Sequence, residues 1–141
     1  MKKQFLYLGI LLGFSTVLTG CATKPFVPKP LNENAKGIST VKTTPYGCKV
    51  LGEIEGKDEK QSITGEIIIG GTLLSIREGA MNDLRNNAVE VVGNSKKRTV
   101  LKIVDQIAFC AQGHKCQNQN IESQDIYSYW VKGEIFECGD K

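Results

Sequence analysis

Apolar and polar positions change their period several times along the chain, and each change predicts an element. Phe5 to Val17 is almost continuously apolar behind Met1, Lys2 and Lys3. A positive end followed by a short apolar core is the pattern of a secretory leader, and a comfortable membrane span would need about 20 apolar residues. From Cys21 to Pro45 the pattern dissolves: all four prolines fall in this stretch and none in the 96 residues after it. Lys, Thr, Asn, Gly and Ser fill the intervals, so the segment has little apolar surface to offset its ordering entropy. It is expected to be an extended tether of roughly 24 residues, reaching up to about 75 Å at ~3.1 Å per residue. A surface arm touching the domain through Phe26 and Val27 is the alternative. The chain thus divides into a leader (1–20), a tether (21–45) and a folded domain (46–141).

Within the domain, Cys48 to Gly56 is rich in β-branched and apolar residues and ends on glycine, which predicts a first strand. The mixed charges of Lys57 to Ser62 predict a solvated loop. Ile63 to Ile69, followed by Gly70 and Gly71, fits a short strand, a hairpin arm or a glycine-rich flap equally well. Ser75, Ile76, Arg77 and Glu78 match a capping box and predict a helix from Ile76. At helical spacing Ile76, Ala80, Leu84, Ala88 and Val91 form one stripe with Met81 and Val92 at its edge, while Glu78, Asn82, Arg85 and Asn86 point away and Gly93 supplies a left-handed stop. Thr99 to Cys110 predicts a long strand with Leu101, Ile103, Ile107 and Phe109 on one face, and Asp105, interrupting that face, predicts a bulge or bend. Ala111 to Asp125 reads as a loop. Tyr127 to Cys138 predicts a last strand in which Tyr129, Val131, Gly133 and Ile135 alternate with Trp130, Lys132, Glu134 and Phe136. The expected fold class is α+β, with one helix packed on a small, mainly antiparallel sheet.

Composition adds limits. With 40% hydrophobic and 23% charged residues in 141, the chain has room for one globular domain and excludes a multi-domain enzyme. Eighteen basic and 15 acidic residues give +3, but without Lys2 and Lys3 of the leader the balance is +1. That is no footprint for nucleic acid, whose binding draws on many cations neutralising phosphates.

Cysteine usage changes the picture more. Leu18-Thr19-Gly20-Cys21 resembles the bacterial lipobox, in which the cysteine thiol accepts a diacylglycerol, the leader is cut before it and the new amine is acylated, for example with palmitate. Cys21 is therefore the expected lipidation site and membrane anchor; two or three acyl chains hold far more firmly than a single myristoyl chain. A cleaved, soluble secretory protein with Cys21 as one more disulfide cysteine is the alternative. In lipoproteins of this kind an Asp after the lipidated cysteine favours the inner membrane, so Ala22 implies the outer membrane. Four cysteines remain, an even count in an oxidising envelope, with three formal pairings. Cys48 opens the first strand and Cys138 closes the last, so antiparallel neighbours would join them; Cys110 and Cys116 flank a five-residue turn and can meet locally. The expected staples are Cys48 with Cys138 and Cys110 with Cys116.

Three blocks carry a wider resemblance: Gly47-Cys48-Lys49-Val50-Leu51-Gly52, then Glu78 to Ala88 with Gly93-Asn94, then Gly133 to Cys138. Together with the lipobox they resemble the small bacterial lipoproteins collected as domain-of-unknown-function family 4156, a group distantly similar to the Rcs stress-sensing outer-membrane lipoprotein. Asn82-Asp83-Leu84-Arg85-Asn86 is the most specific part. The resemblance supports pairing Cys48 with Cys138, and it brings no activity to carry over.

Candidate chemistry is sparse. His114 lies between Cys110 and Cys116 as C-x3-H-x-C, but a closed zinc site usually wants four ligands, and a disulfide would remove both thiolates and the option of a Cys-His nucleophile. Gly65, Gly70 and Gly71 lack the following Lys-Ser of a phosphate loop. Asp83, Arg85 and Glu90 read as a solvated helix face. Asn82 and Asn86, one turn apart, are either a contact strip for a partner or ties between helix and neighbouring loop. The sequence leads to a non-enzymatic outer-membrane lipoprotein without a cofactor, anchored through lipid on Cys21, with a domain facing the periplasm that binds an envelope protein as accessory, assembly factor or stress sensor. A small-ligand or metal-binding carrier of the envelope is the alternative.

Overall fold

The computed structural model describes residues 23–61, 66–110, 113–117 and 125–139. The leader of residues 1–20, the lipidation at Cys21 and the first half of the Ile63–Ile69 block lie outside the described residues. The elements run β1 (Thr23–Pro25), a 3-10 turn (Glu33–Ala35), β2 (Ser39–Val41), β3 (Lys49–Glu59), β4 (Ile67–Ile69), α1 (Leu73–Val92), β5 (Arg98–Cys110) and β6 (Ile126–Cys138). A four-stranded sheet has the order β2-β5-β6-β3; β6 is antiparallel to both neighbours and β2 is parallel to β5. The small second sheet pairs β1 with β4 in parallel. The fold class is α+β, as the alternation of periods predicts. The strand last in sequence is one of the two inner strands of the sheet. No helix among the described residues is long and apolar enough to cross a membrane.

Helix α1 buries Ile76, Gly79, Ala80, Leu84 and Ala88. They meet Leu101, Val131 and Ile135 from the sheet in one main core. Small residues let the helix come close, and the clearest case is on the strand side: a Cβ on Gly56 would overlap the Ala80 carbonyl and the Leu84 backbone. Val91 departs from the expected stripe and is half exposed, because the last turn packs Val89 and Val92 instead, beside Ile38. The helix also begins earlier than the capping box suggests. Thr72, not Ser75, is the N-cap: its hydroxyl accepts from the Ser75 amide at 3.2 Å, which satisfies a donor the first turn leaves open. At the other end Gly93, at φ 59°, stops the helix as expected.

The run Lys57 to Ser62 is not simply a solvated loop, since β3 continues through Lys57, Asp58 and Glu59, and Asp58 is only 4% exposed. The expected bulge near Asp105 is present: Ile103 faces Gly133 and Asp105 faces Lys132, leaving Val104 as the extra residue. Its consequence overturns the predicted single face of β5. Side chains alternate with period two, so one inserted residue exchanges the faces of everything beyond it. Leu101 and Ile103 join the helix-side core and so does Ala108, while Phe109 turns to the far side and meets Trp130.

Both disulfides are formed as expected, Cys48–Cys138 with Cα atoms 4.2 Å apart and Cys110–Cys116 with 5.1 Å. The first belongs to a small cluster with Val100, Phe136 and Val41. The second packs against the main core.

The largest correction concerns the tether. Residues 23–45 do not hang free: β1 pairs with β4, Ala35 and Ile38 are buried, and β2 is an edge strand of the main sheet. Of the two residues that the arm alternative named as contacts, Phe26 packs on the core and Val27 is exposed. Proline lowers the entropy of an extended chain, and hydrogen bonds from the domain do the rest.

Candidate functional site

Those hydrogen bonds come from the polar face of α1, where Asn82, Asp83, Asn86 and Asn87 fall on two rows. Asn82 donates to the Lys29 carbonyl (2.9 Å); Asn86 donates to the Pro30 carbonyl (3.0 Å) and accepts from the Asn32 amide (2.9 Å). The second row reaches β3. Asp83 accepts from the Lys57 amide (2.8 Å) and pairs with the Lys29 ammonium (3.0 Å), while Asn87 donates to the Glu55 carbonyl (2.8 Å). Glu55 and Lys57 belong to the outer edge of the sheet, whose free backbone groups would otherwise invite another strand. The stretch from Asn82 to Asn87 is thus a clamp on the arm and a cover for an edge. Asn82 and Asn86 are ties rather than a free contact strip, and Asp83 is no idle solvated carboxylate.

Asp58 completes the clamp from below. Its carboxylate accepts from the Lys29 amide (3.0 Å) and the Glu59 amide (2.9 Å), and a Cβ on Gly79 would collide with it. This explains a glycine in mid-helix, where it costs about 1 kcal/mol relative to alanine. Burial pushes the Asp58 carboxyl above its ordinary range, against the pull of the two amides and Lys29.

The opposite face of the sheet carries no described helix and is built differently. Trp130 of β6 stands between Lys57 of β3 and Ile107 of β5 in the register, and it is 41% exposed. Phe109 lies against it, with ring centroids 5.6 Å apart and planes tilted by 60°, and the Lys57 ammonium lies 5.2 Å from the indole centroid. Next to this patch runs a ladder of charge. Lys132 pairs with Glu53 (2.6 Å), Lys102 with Glu134 (3.3 Å), and Glu55 and Asp105 flank Lys132 on either side. The hydrogen bond that Lys132 donates to Glu53, then the Glu53 charge, holds the Lys132 ammonium above the usual lysine range. A shallow hollow of about 80 Å³ opens between Glu55, Asp105, Ile107, Trp130 and Lys132.

A half-exposed indole beside a cation and a rim of both charges has ingredients that contact surfaces use, where Trp can anchor and a charged rim can orient. His114 is exposed, and Cys110 and Cys116 on either side of it are bonded to each other. Among the described residues no group of three metal-ligating side chains converges. Two open grooves of about 410 Å³ and 480 Å³, one beside Asn34, Val92 and Lys97 and the other beside Lys42, Arg77 and Met81, are where a carrier would hold a small ligand.

Sequence reasoning places Trp130 on the polar side of its strand without giving it a role. The signal was available: an indole among Lys132 and Glu134, alternating against Val131 and Ile135, belongs to a surface rather than a core. Lys57 and Asp58 were hidden by being read as loop. No protein-family model, curated protein or solved structure matches the chain.

Proposed function

We propose that this protein is a lipid-anchored component of the outer membrane whose disulfide-stapled domain docks an envelope protein on the helix-free face of its sheet. The observation that carries the reading is Trp130, half exposed between Phe109 and Lys57 and rimmed by the Lys132 ladder. Two disulfides in so small a domain suit an oxidising compartment, and the lipobox-like Leu18 to Cys21 supports the anchor. The clamped arm changes how the domain would be presented. With residues 23–41 bound to the domain, it works close to the bilayer instead of tens of ångströms away.

A photo-crosslinking residue at Lys132, in the full chain expressed in cells, is expected to give a discrete protein adduct, and the same probe at exposed Glu90 of α1 is not. Trp130→Ala should abolish the Lys132 adduct, since truncating an aromatic anchor costs about 2 kcal/mol or more, roughly 30-fold in affinity. An adduct that survives Trp130→Ala, or that forms equally at Glu90, would reject this face as the docking surface.

A further inference from the structure

The small β1–β4 sheet has an apolar exterior. Ile67 and Ile69, which share one side of β4, are 54% and 51% exposed, Leu74 in the first turn of α1 is 73% exposed, and Val27 just beyond β1 is 75% exposed. Single exposed hydrophobes on a folded surface are ordinary, but these four lie on, or within five residues of, one two-stranded ladder. The Phe26 amide bonds the Ile69 carbonyl at 2.9 Å, which puts Val27 next to the end of β4, and Leu74 follows Ile69 by five residues. Lys24 of β1 is paired with Glu66, just before β4, at 2.7 Å. Beside Leu74 the helix adds Arg77 and Glu78, both exposed and of opposite sign, so the neighbourhood has no net charge to offer an ionic partner.

The covalent chain says what lies against it. Thr23 is paired with Ile67, and Cys21 is two residues upstream. Two residues span at most about 7 Å and paired strands lie about 4.8 Å apart, so the Cys21 Cα falls within roughly 12 Å of the Ile67 Cα. The domain cannot swing away from that point on a leash, because Lys29, Pro30 and Asn32 are held by Asn82, Asp83 and Asn86, and β2 is held in the sheet. Acyl chains on Cys21 would carry the bilayer surface to the edge of this patch.

We infer that the β1–β4 ladder and the first turn of α1 form a lipid-contact face, with Val27, Ile67, Ile69 and Leu74 seated in the headgroup region beside the anchor. This rests on the reading of Cys21 as the lipidated residue. The contact is apolar and needs no anionic lipid. It fixes the orientation of the domain, so that the anchor and the four side chains together act as two points of attachment where the acyl chains alone would give one.

The test uses the full chain in cells. A photo-crosslinking residue is placed at Ile69, at Leu74, at Val27 or, as a control, at Glu90, which is sixteen residues and about 24 Å along the helix from Leu74. All replaced side chains are exposed, and absence of free thiols confirms that each variant has folded. Intact-mass analysis is expected to show acyl mass on Cys21 and phospholipid adducts several-fold more abundant from Ile69, Leu74 and Val27 than from Glu90. Acylated Cys21 with equal lipid adducts at all four positions, or with protein adducts replacing lipid at Ile69 and Leu74, would overturn the contact face and leave the anchor standing. A chain without acyl mass on Cys21 would overturn the anchor first and the contact face with it.

Discussion

Asp58 is a carboxylate placed where a hydrophobe would be less trouble. Its raised pKa means that between the ordinary value of 3.8 and the folded one, the native state holds more protons than the unfolded state. Stability contributed by this group is then full below 3.8 and is lost as pH rises through the folded value. Comparing thermal unfolding of the wild type with Asp58→Asn should show the difference moving in favour of the wild type as pH is lowered through that window. Glu137 is the counterexample, with its pKa lowered by the hydroxyl of Ser95 and by Lys97. Its contribution is present above 4.5 and disappears on acidification, so Glu137→Gln should tilt the comparison the other way. A flat difference for Asp58→Asn would mean that the carboxylate is hydrated in solution. What the carboxylate does for the fold is to give the Lys29 and Glu59 amides a partner in a part-buried place.

Among the elements, the arm and α1 are bound to one another by side chains to backbone, which makes their contact sensitive to single amides. Asn86→Ala removes a donor to Pro30 and an acceptor from Asn32. The arm should lose about 1–2 kcal/mol of local stability, seen as roughly 5- to 30-fold faster amide exchange at Asn32, with both disulfides intact. Exchange at Asn32 unchanged from the wild type would show that β2 alone holds the arm. The helix stripe from Ile76 to Ala88, the stop at Gly93, the bulge at Asp105 and the alternation of β6 were all legible, because each is a local pattern of period or turn chemistry. The arm was not. Its residues are those of a linker, and the groups that hold it lie 53 to 56 positions away, on a helix face that looks solvated when its partner is unknown. The far half of β5 was misread for a related reason: one bulged residue reverses the inward set, and only the register with β6 shows on which side of Asp105 the reversal begins. Of the candidate docking face, the charges were visible and the convergence of Lys57, Phe109 and Trp130 from three strands was not.

For the molecule as a whole, the two staples differ in what they close. Cys48–Cys138 spans 90 residues and Cys110–Cys116 only 6, so loop entropy assigns about 4–5 kcal/mol to the first and about 2–2.5 kcal/mol to the second. Replacing Cys48 and Cys138 together by serine should lower the denaturation midpoint by about twice as much as replacing Cys110 and Cys116. Equal losses would show that strain or residual structure outweighs chain entropy here. The position of β6 has a further consequence for how the chain is made. In the export that the proposed anchor requires, the residues would emerge in order, with β3, α1 and β5 all outside before the strand that lies between β3 and β5 arrives. Until then the slot stands open and Cys48, already outside, has no native partner, whereas Cys110 and Cys116 emerge as a complete native pair before Cys138. The order of emergence therefore favours the short bridge first, which takes two thiols out of competition and leaves Cys48 to wait for Cys138 as the final act of closure.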